Sequence, residues 1–271
     1  MIKIYRADTA SLSDEESVLK NLVFLDGIRR QKVCQCRNLE DKKRSLLAGY
    51  LIQAGAKEWM TEEGGLQRNA KPLSLSYIYS EYGKPYLKGK KNLYFNISHS
   101  RNYVVCAFSN QEVGIDIQVH RKEKGNLVKR FFPPEDQELM ERLVKAGGDP
   151  EKIFFRMWAV KEAYMKLTGE GLRQGLDKSV IEIENGEREK ENADSQPQVG
   201  QEGSGWGKEG NSRKADGQGE SFEQGRIRKK AQKKEGAYFK IYEEYDSINK
   251  YSMAVCSYMP LDDIQKKEIS L

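Results

Sequence analysis

The segment at residues 96–118, NISHSRNYVVCAFSNQEVGIDIQ, restricts the fold more than any other part of the chain. Two strand-like runs, 103–108 and 112–119, flank a turn-forming Ser-Asn-Gln, and this order predicts a hairpin. The second run alternates small or polar residues with four aliphatic ones, which are Val113, Ile115, Ile117 and Val119. Because a strand repeats every two residues, Asp116 and Gln118 share the opposite face. A carboxylate and an amide on one rigid strand predict half of a metal or phosphate site, whose other half must come from elsewhere.

Net charge and hydropathy exclude several classes of partner. The 271 residues carry a formal net charge of +5 and have a pI near 8.8, which suits an anionic ligand or an acidic protein. A nucleic-acid-binding protein usually shows a denser basic stripe. No apolar run is long enough for a membrane span or a signal peptide. We therefore expect neither nucleic acid nor a membrane as a partner.

The four cysteines indicate a reducing setting. Cys34 and Cys36 form a C-x-C pair rather than the C-x-x-C pair of a zinc site. Cys106 and Cys256 lie in apolar runs, where buried thiols are expected. The two runs around these last cysteines are loosely similar, which hints at an internal duplication. A cytoplasmic location is the prediction that follows.

A helix is predicted at about 39–61, with apolar residues at helical spacing and basic residues near its start, at Lys42, Lys43 and Arg44. Basic residues at a helix N-terminus oppose the macrodipole, so the cluster costs stability unless an anion offsets it. The alternative interpretation is a solvated charged face.

A second helix is predicted at 151–167, between the N-cap candidate Asp149 and the stop signal Gly169. Glu162 lies at the edge of its apolar stripe, one turn before Lys166. As an alternative to a functional role, these two residues could form an ordinary i,i+4 surface pair.

The amino-acid composition of the chain changes over residues 186–234. The segment is rich in Gly, Glu, Gln, Ser and Lys, and its large apolar residues, Trp206 and Phe222, are isolated. Such a composition cannot bury enough apolar surface to offset the entropy of ordering, so we expect a disordered insert. The strand before it, 179–183, is expected to pair with the strand after it, 238–242, which makes the insert an expanded hairpin loop.

Five short motifs occur in an order and spacing that resemble the 4'-phosphopantetheinyl transferases, in their long, surfactin-synthetase-activating type. They are EYGKP at 81–85, FNISHS at 95–100, VGIDI at 113–117, RFF at 130–132, and WAVKEAYMK at 158–166 followed by two glycines. The resemblance implies an α+β fold of two similar halves related by a pseudo-twofold, with the active site at their junction. We expect halves at residues 1–102 and 103–271, the second carrying the metal site and the insert.

The resemblance also implies an activity. Enzymes of this family, the holo-acyl-carrier-protein synthases, move 4'-phosphopantetheine from coenzyme A to a serine of an acyl or peptidyl carrier protein. They require Mg²⁺ and release adenosine 3',5'-bisphosphate. A monomer is expected. Two alternatives remain: a non-catalytic relative that binds coenzyme A or a carrier protein, and a Mg²⁺-dependent phosphohydrolase, although the chain lacks a phosphate-binding P-loop.

The metal ligands and catalytic residues follow from the same match. Asp116 and Glu162 match the family's metal carboxylates, and magnesium prefers carboxylates together with substrate phosphate and water. Many relatives have glutamate where this chain has Gln118, so we expect Gln118 to be a weak ligand or to act through water. The general base is either Lys166 or Glu162. One of the acidic residues at 135–136 matches a further acidic position of some relatives, and the spacing favours Asp136.

The coenzyme A contacts are also implied by resemblance. The match places His99 and Arg44 on the phosphates, and Arg29, Lys32 and Lys84 near the nucleotide end. Hydroxyl or backbone contacts are expected from the serines beside them, Ser45 and Ser98. For His99 the alternative is a core histidine that ties two loops together. An anionic ligand would then explain the basic cluster at the start of the helix predicted at about 39–61.

Overall fold

A computed structural model describes residues 1–62, 64, 71–121, 127–171, 175–183, 222–231, 236–245 and 250–271. The helices are α1 (Glu15–Asn21), α2 (Gly27–Gln35), α3 (Leu39–Glu62), α4 (Leu127–Phe131), α5 (Pro134–Lys145) and α6 (Pro150–Thr168). The strands of the first half are β1 (Ile2–Asp8), β2 (Tyr77–Tyr79), β3 (Pro85–Leu87), β4 (Tyr94–Ser100) and β5 (Tyr103–Ser109). They are followed by β6 (Val113–Val119), β7 (Ser179–Ile183), β8 (Gln224–Lys229), β9 (Ala237–Tyr245), β10 (Lys250–Ser257) and β11 (Ile264–Glu268).

Two main sheets form the body of the protein, each covered by one long helix. The first sheet has the order β11-β1-β5-β4 and packs against α3; the second has the order β6-β10-β9-β8-β7 and packs against α6. Their inner faces meet in a shared apolar core that includes Ile4, Val105, Ile115 and Val255. As predicted, the four aliphatic residues of β6 lie in this core. The described residues contain no helix that is both long and apolar enough for a bilayer crossing.

The two halves repeat one topology. Each half contains a hairpin, β4–β5 in the first and β9–β10 in the second. The first strand of each half pairs with the second strand of its hairpin, which gives the orders β1-β5-β4 and β6-β10-β9. The long helix lies between the first strand and the hairpin in both halves. Cys106 and Cys256 occupy the last hairpin strands and are both fully buried. The α+β fold of two similar halves is therefore confirmed.

Helix α6 lies unusually close to β6. A Cβ added to Gly114 would lie 2.0 Å from the carbonyl oxygen of Ala163, so only glycine fits at this strand position. The Asp149 side chain caps α6 by accepting from the N–H groups of Glu151 (2.9 Å) and Lys152 (3.2 Å). Gly169 ends the helix in the left-handed region, with φ of 74°. Both long helices have the predicted bounds to within two residues.

Strand β8 corrects the predicted insert. It lies between β7 and β9, so 179–183 pairs with 224–229 and not with 238–242. Phe222 and Ile227 are buried, although the sequence around them is polar. The prediction of disorder is therefore wrong for residues 222–231, and the parts at 186–221 and 232–234 lie outside the described residues. The predicted hairpin of 103–108 with 112–119 is wrong, because β5 lies in the first sheet and β6 in the second, and β11 returns to the first sheet.

A partly buried ion-pair cluster joins α6 to the second sheet. Glu243 on β9 accepts hydrogen bonds from the guanidinium of Arg156, at 2.5 and 2.8 Å, and pairs with Lys152 at 2.7 Å. Burial would raise the pKa of Glu243, but the two cations outweigh it and lower this pKa below its usual value.

Candidate active site

Asp116 is the centre of a polar network at the junction of the two halves. Its side chain lies on the face of β6 that is turned toward α6, and the residue is 1% exposed. One carboxylate oxygen, Oδ1, accepts from the Ser98 hydroxyl at 2.6 Å and from the Lys166 ammonium at 2.5 Å. The other, Oδ2, accepts from the Gln118 amide at 2.7 Å. The strand prediction therefore placed Asp116 and Gln118 correctly, and the partners come from β4 and α6.

Glu162 supplies a second carboxylate near Asp116. The indole N–H of Trp158, one turn earlier on α6, donates to its Oε1 at 2.8 Å. Burial and then the negative charge of Asp116 raise the pKa of Glu162, while Lys166 acts in the opposite direction. Two carboxylates that repel each other in a desolvated site favour a bound cation.

Lys166 points across the junction. Its ammonium donates to Asp116 and, at 2.8 Å, to Ser98 on the first half. The alternative of an ordinary surface pair with Glu162 is therefore wrong, because the lysine forms its ion pair with the strand carboxylate. The Lys166 ammonium therefore partly offsets the negative charges of Asp116 and Glu162.

The oxygen donors of this network fit a divalent cation of the magnesium type. The described residues hold no cluster of three or more His, Cys, Asp or Glu that could bind a metal on their own. The available donors are the carboxylates of Asp116 and Glu162, with the Gln118 amide oxygen as a neutral addition. Magnesium commonly takes one or two protein carboxylates and completes its shell with phosphate and water.

His99 lies near the network, close to the end of β4. Partial burial lowers its pKa, and the positive charges of Arg44 and Lys166 lower it further. His99 is nevertheless an exposed residue overall, so the alternative of a core histidine is wrong. Arg44 donates to the Asp41 carboxylate at 2.5 Å and to the Arg101 carbonyl at 3.2 Å. The two residues that resemblance assigned to the phosphates thus lie near each other and near Lys166.

The remaining nucleotide-end residues form a neighbouring group on α2 and α3. Arg29 donates to the backbone carbonyl of Ser45 at 3.0 Å. The Lys32 ammonium lies 3.2 Å from the Tyr79 hydroxyl and 5.3 Å from the centre of that ring. Of this group, Ser45 is engaged through its carbonyl, and Lys32 presents its charge beside an exposed aromatic ring.

Lys84 does not present a free charge to a phosphate. It is 6% exposed, and its ammonium pairs with Glu112 at 2.5 Å and donates to the Leu167 carbonyl at 2.8 Å. Burial lowers its pKa despite this ion pair. The expectation of a side-chain contact to the nucleotide is therefore corrected, because the ammonium fastens the EYGKP turn to the end of α6.

The basic cluster at the start of α3 is paired within the protein. Lys42 pairs with Glu15 on α1, Lys43 with Glu40 at 3.0 Å, and Arg44 with Asp41. These carboxylates supply the anions that the helix start requires, so a ligand is not needed to explain the cluster. A phosphate at Arg44 would have to share the guanidinium with Asp41.

Asp136 lies outside the site. It is fully buried in an ion pair with Lys161, which also donates to the carbonyls of Leu176 (2.9 Å) and Ser179 (2.6 Å). Burial raises the pKa of Asp136 and lowers that of Lys161. The sequence hypothesis of an acidic site residue here is corrected, because the ion pair instead holds the start of β7 in place.

The hydrogen bond from Trp158 to Glu162 was not predicted from the sequence, because a tryptophan at this position fits an apolar stripe equally well.

Comparison with known proteins identifies the family of this chain. The profile of the 4'-phosphopantetheinyl transferase superfamily matches residues 112–207. A 4'-phosphopantetheinyl transferase of Bacillus subtilis is 32% identical over 181 residues, which cover 66% of this chain and 75% of the relative. The 4'-phosphopantetheinyl transferase Sfp of Bacillus subtilis strain 168 is 29% identical over 173 residues, or 64% and 72% of the two chains. HetI of Nostoc, also named a 4'-phosphopantetheinyl transferase, is 33% identical over 169 residues, or 60% and 62%. With its two repeated halves and the network at their junction, the chain belongs to the 4'-phosphopantetheinyl transferase family.

Proposed function

We propose that this protein transfers the 4'-phosphopantetheine group of coenzyme A to a serine hydroxyl of an apo carrier protein. The observation that carries the proposal is the network in which Asp116, Glu162 and Lys166 of the second half meet Ser98 of the first. His99 and Arg44 lie beside it with cationic or hydrogen-bonding groups. An anionic pyrophosphate can be bound on one side and a proton moved on the other.

The reaction is a displacement at phosphorus. The serine oxygen of the carrier forms a bond to the phosphorus that bears pantetheine. The bond from that phosphorus to the bridging oxygen breaks, and its electron pair leaves with adenosine 3',5'-bisphosphate. The serine proton passes to a protein base, and the Lys166 ammonium stabilises the negative charge on the transferred phosphoryl group.

Glu162 is the stronger candidate for that base. The Trp158 indole holds one of its oxygens, so the orientation of the acceptor is fixed. Lys166 is already engaged as a hydrogen-bond donor to both Asp116 and Ser98.

Asp116 and Glu162 would hold a magnesium ion, with Gln118 as a neutral and weaker ligand. A bound divalent cation would neutralise charge on the pyrophosphate and make its phosphorus easier to attack. The protein residues keep their own tasks: Ser98 orients Asp116, and Trp158 orients Glu162. Arg29 and Lys32 would contact the nucleotide end of coenzyme A together with His99 and Arg44.

The protein partner would be a small, acidic, helical carrier domain with a serine at a helix start. The net charge of +5 favours its approach by electrostatic steering. A cytoplasmic site of action is supported by the cysteines, since all four are free thiols. The fatty-acid, polyketide and peptide classes of carrier all fit this description.

Mass spectrometry of apo carrier proteins tests the proposal. Each carrier is incubated with the protein, coenzyme A and MgCl₂, and Asp116→Asn serves as the matched variant that lacks the central charge. A gain of one phosphopantetheine on a serine, lost in the variant, supports transfer. Coenzyme A binding without any gain across fatty-acid, polyketide and peptide carriers would favour the non-catalytic relative, a possibility raised by Gln118. Release of adenosine 3',5'-bisphosphate without a carrier would indicate a phosphohydrolase.

A further inference from the structure

The seam between the two halves is built from side chains. Strand β4 ends the first sheet and β6 ends the second, and the two strands lie next to each other. Three polar side chains of β4 accept from backbone N–H groups of β6. Asn96 accepts from the Ile115 N–H at 3.1 Å, Ser98 from the Ile117 N–H at 3.4 Å, and Ser100 from the Val119 N–H at 3.0 Å.

The three contacts form a regular ladder. Each acceptor lies 19 residues before its donor, so the two strands run in one fixed register. Alternate residues of β4 point toward β6, as the period of a strand requires. The side chains thereby satisfy N–H groups on the edge of β6 that would otherwise be buried without partners. We call this set of three contacts the side-chain ladder.

The middle contact is part of the active site and the outer two flank it. The Ser98 hydroxyl accepts from Ile117 and from Lys166 and donates to Asp116, so its hydrogen-bonding capacity is fully used. Asn96 and Ser100 lie two residues to either side and hold the same strand. A shift of β6 along β4 would carry Asp116 away from Ser98.

We propose that Asn96 and Ser100 are positioning residues that set the distance between the first half, with its nucleotide-end contacts, and the second half, which carries the residues of the chemical step. The inference rests on the proposed function, which places His99 and Arg44 in the first half and Glu162 and Lys166 in the second. Loosening the ladder leaves the contacts inside each half intact but changes how the halves face each other. Coenzyme A binding then persists, whereas the chemical step loses its geometry.

The variants Asn96→Ala and Ser100→Ala test this, with Ser100→Thr as the rescue that keeps the hydroxyl. Ser109→Ala is the matched control, because this buried serine on β5 accepts from the Gln111 N–H at 3.2 Å and takes no part in the ladder. We expect kcat for transfer to fall about tenfold to a hundredfold in the two alanine variants. The KM for coenzyme A should change by less than about twofold, because the contacts to its nucleotide end stay within the first half.

Hydrogen exchange gives a readout that does not need activity. The amides of Ile115 and Val119 should exchange about tenfold faster in Asn96→Ala and Ser100→Ala respectively, because each loses its acceptor. Ser100→Thr should restore both kcat and the slow exchange of Val119.

Two results would overturn the inference: a loss of kcat no larger than in Ser109→Ala, or a KM that rises as much as kcat falls. If the wild type transfers nothing to any carrier, the proposed function fails instead. The exchange rates of Ile115 and Val119 then still decide whether the ladder holds β6, and unchanged rates would refute it.

Discussion

Replacing Gln118 with glutamate would test how this chain balances charge at its centre. The Gln118 amide donates to Asp116 at 2.7 Å, and Asp116 also pairs with Lys166. In Gln118→Glu that donor becomes a second carboxylate beside the first. The variant loses a hydrogen bond and gains a like-charge contact in a partly buried site, unless a cation is bound there.

The size of the effect follows from Coulomb's law. Two unit charges about 4 Å apart repel by about 4 kcal/mol at an effective dielectric constant of about 20. The Lys166 ammonium, which already pairs with Asp116, would also attract the new carboxylate, so we take the net cost as about 2 kcal/mol. We expect the melting temperature of the metal-free variant to fall by about 4–8 °C, since 1 kcal/mol corresponds to about 2–4 °C at this chain length.

The assay is thermal melting in EDTA and across a MgCl₂ titration, for the wild type, Gln118→Glu and the neutral variant Gln118→Met. Gln118→Met removes the hydrogen bond without adding charge and so isolates the electrostatic part. Magnesium should stabilise Gln118→Glu more than either other protein and bind it about tenfold more tightly or better, since 1.4 kcal/mol is a factor of ten. The Mg²⁺ concentration that half-activates transfer should fall in parallel. If Gln118→Glu melts like the wild type in EDTA and its activation constant is unchanged, the reasoning is refuted.

Three further outcomes follow from the fold. The lowered pKa of Glu243 means that its stabilisation is present above about pH 4.5 and is lost as the pH falls below it. Glu243→Gln should therefore cost about 2–3 kcal/mol at pH 7, and the melting curves of variant and wild type should converge toward pH 3; a gap independent of pH would contradict this. Asp136→Asn should cost about 3–5 kcal/mol in urea unfolding, because it leaves the Lys161 charge buried and unpaired, yet transfer per folded molecule should stay at the wild-type level. Deleting 186–220 should leave the melting temperature within a few degrees of the wild type, whereas removing 222–231 as well should abolish cooperative melting because β8, which lies between β7 and β9, is lost; equal melting of both deletions would contradict the role of β8.

Local patterns predicted the parts of the structure that local forces determine. The bounds of α3 and α6 follow from apolar spacing and end signals, and the two faces of β6 follow from its alternation. These features need no knowledge of the rest of the chain. The position of Asp116 could be predicted for the same reason.

Features that depend on distant partners could not be predicted this way. Strand β8 is polar in composition, and only its place between two other strands explains why Ile227 is buried. Motif position assigned Lys84 and Asp136 to the site. In the structure both are buried, and each forms an ion pair with a residue of opposite charge more than 20 positions away in the sequence, Lys84 with Glu112 and Asp136 with Lys161. Asn96 and Ser100 fit the polar face of any strand, and their role depends on a neighbouring edge that their own sequence does not specify.

The parallel pairing of β11 with β1 has a consequence for how the protein is made. Arg6 and Glu268, which are 262 residues apart, form an ion pair at 2.9 Å in this pairing. During translation β1 cannot pair with β11 until every strand of the second sheet has left the ribosome, so this edge of β1 stays unpaired until then. Closing so large a loop is slow, and an open strand edge can pair with another nascent chain. Premature termination before β11 should therefore give aggregation rather than a stable, separately folded first half.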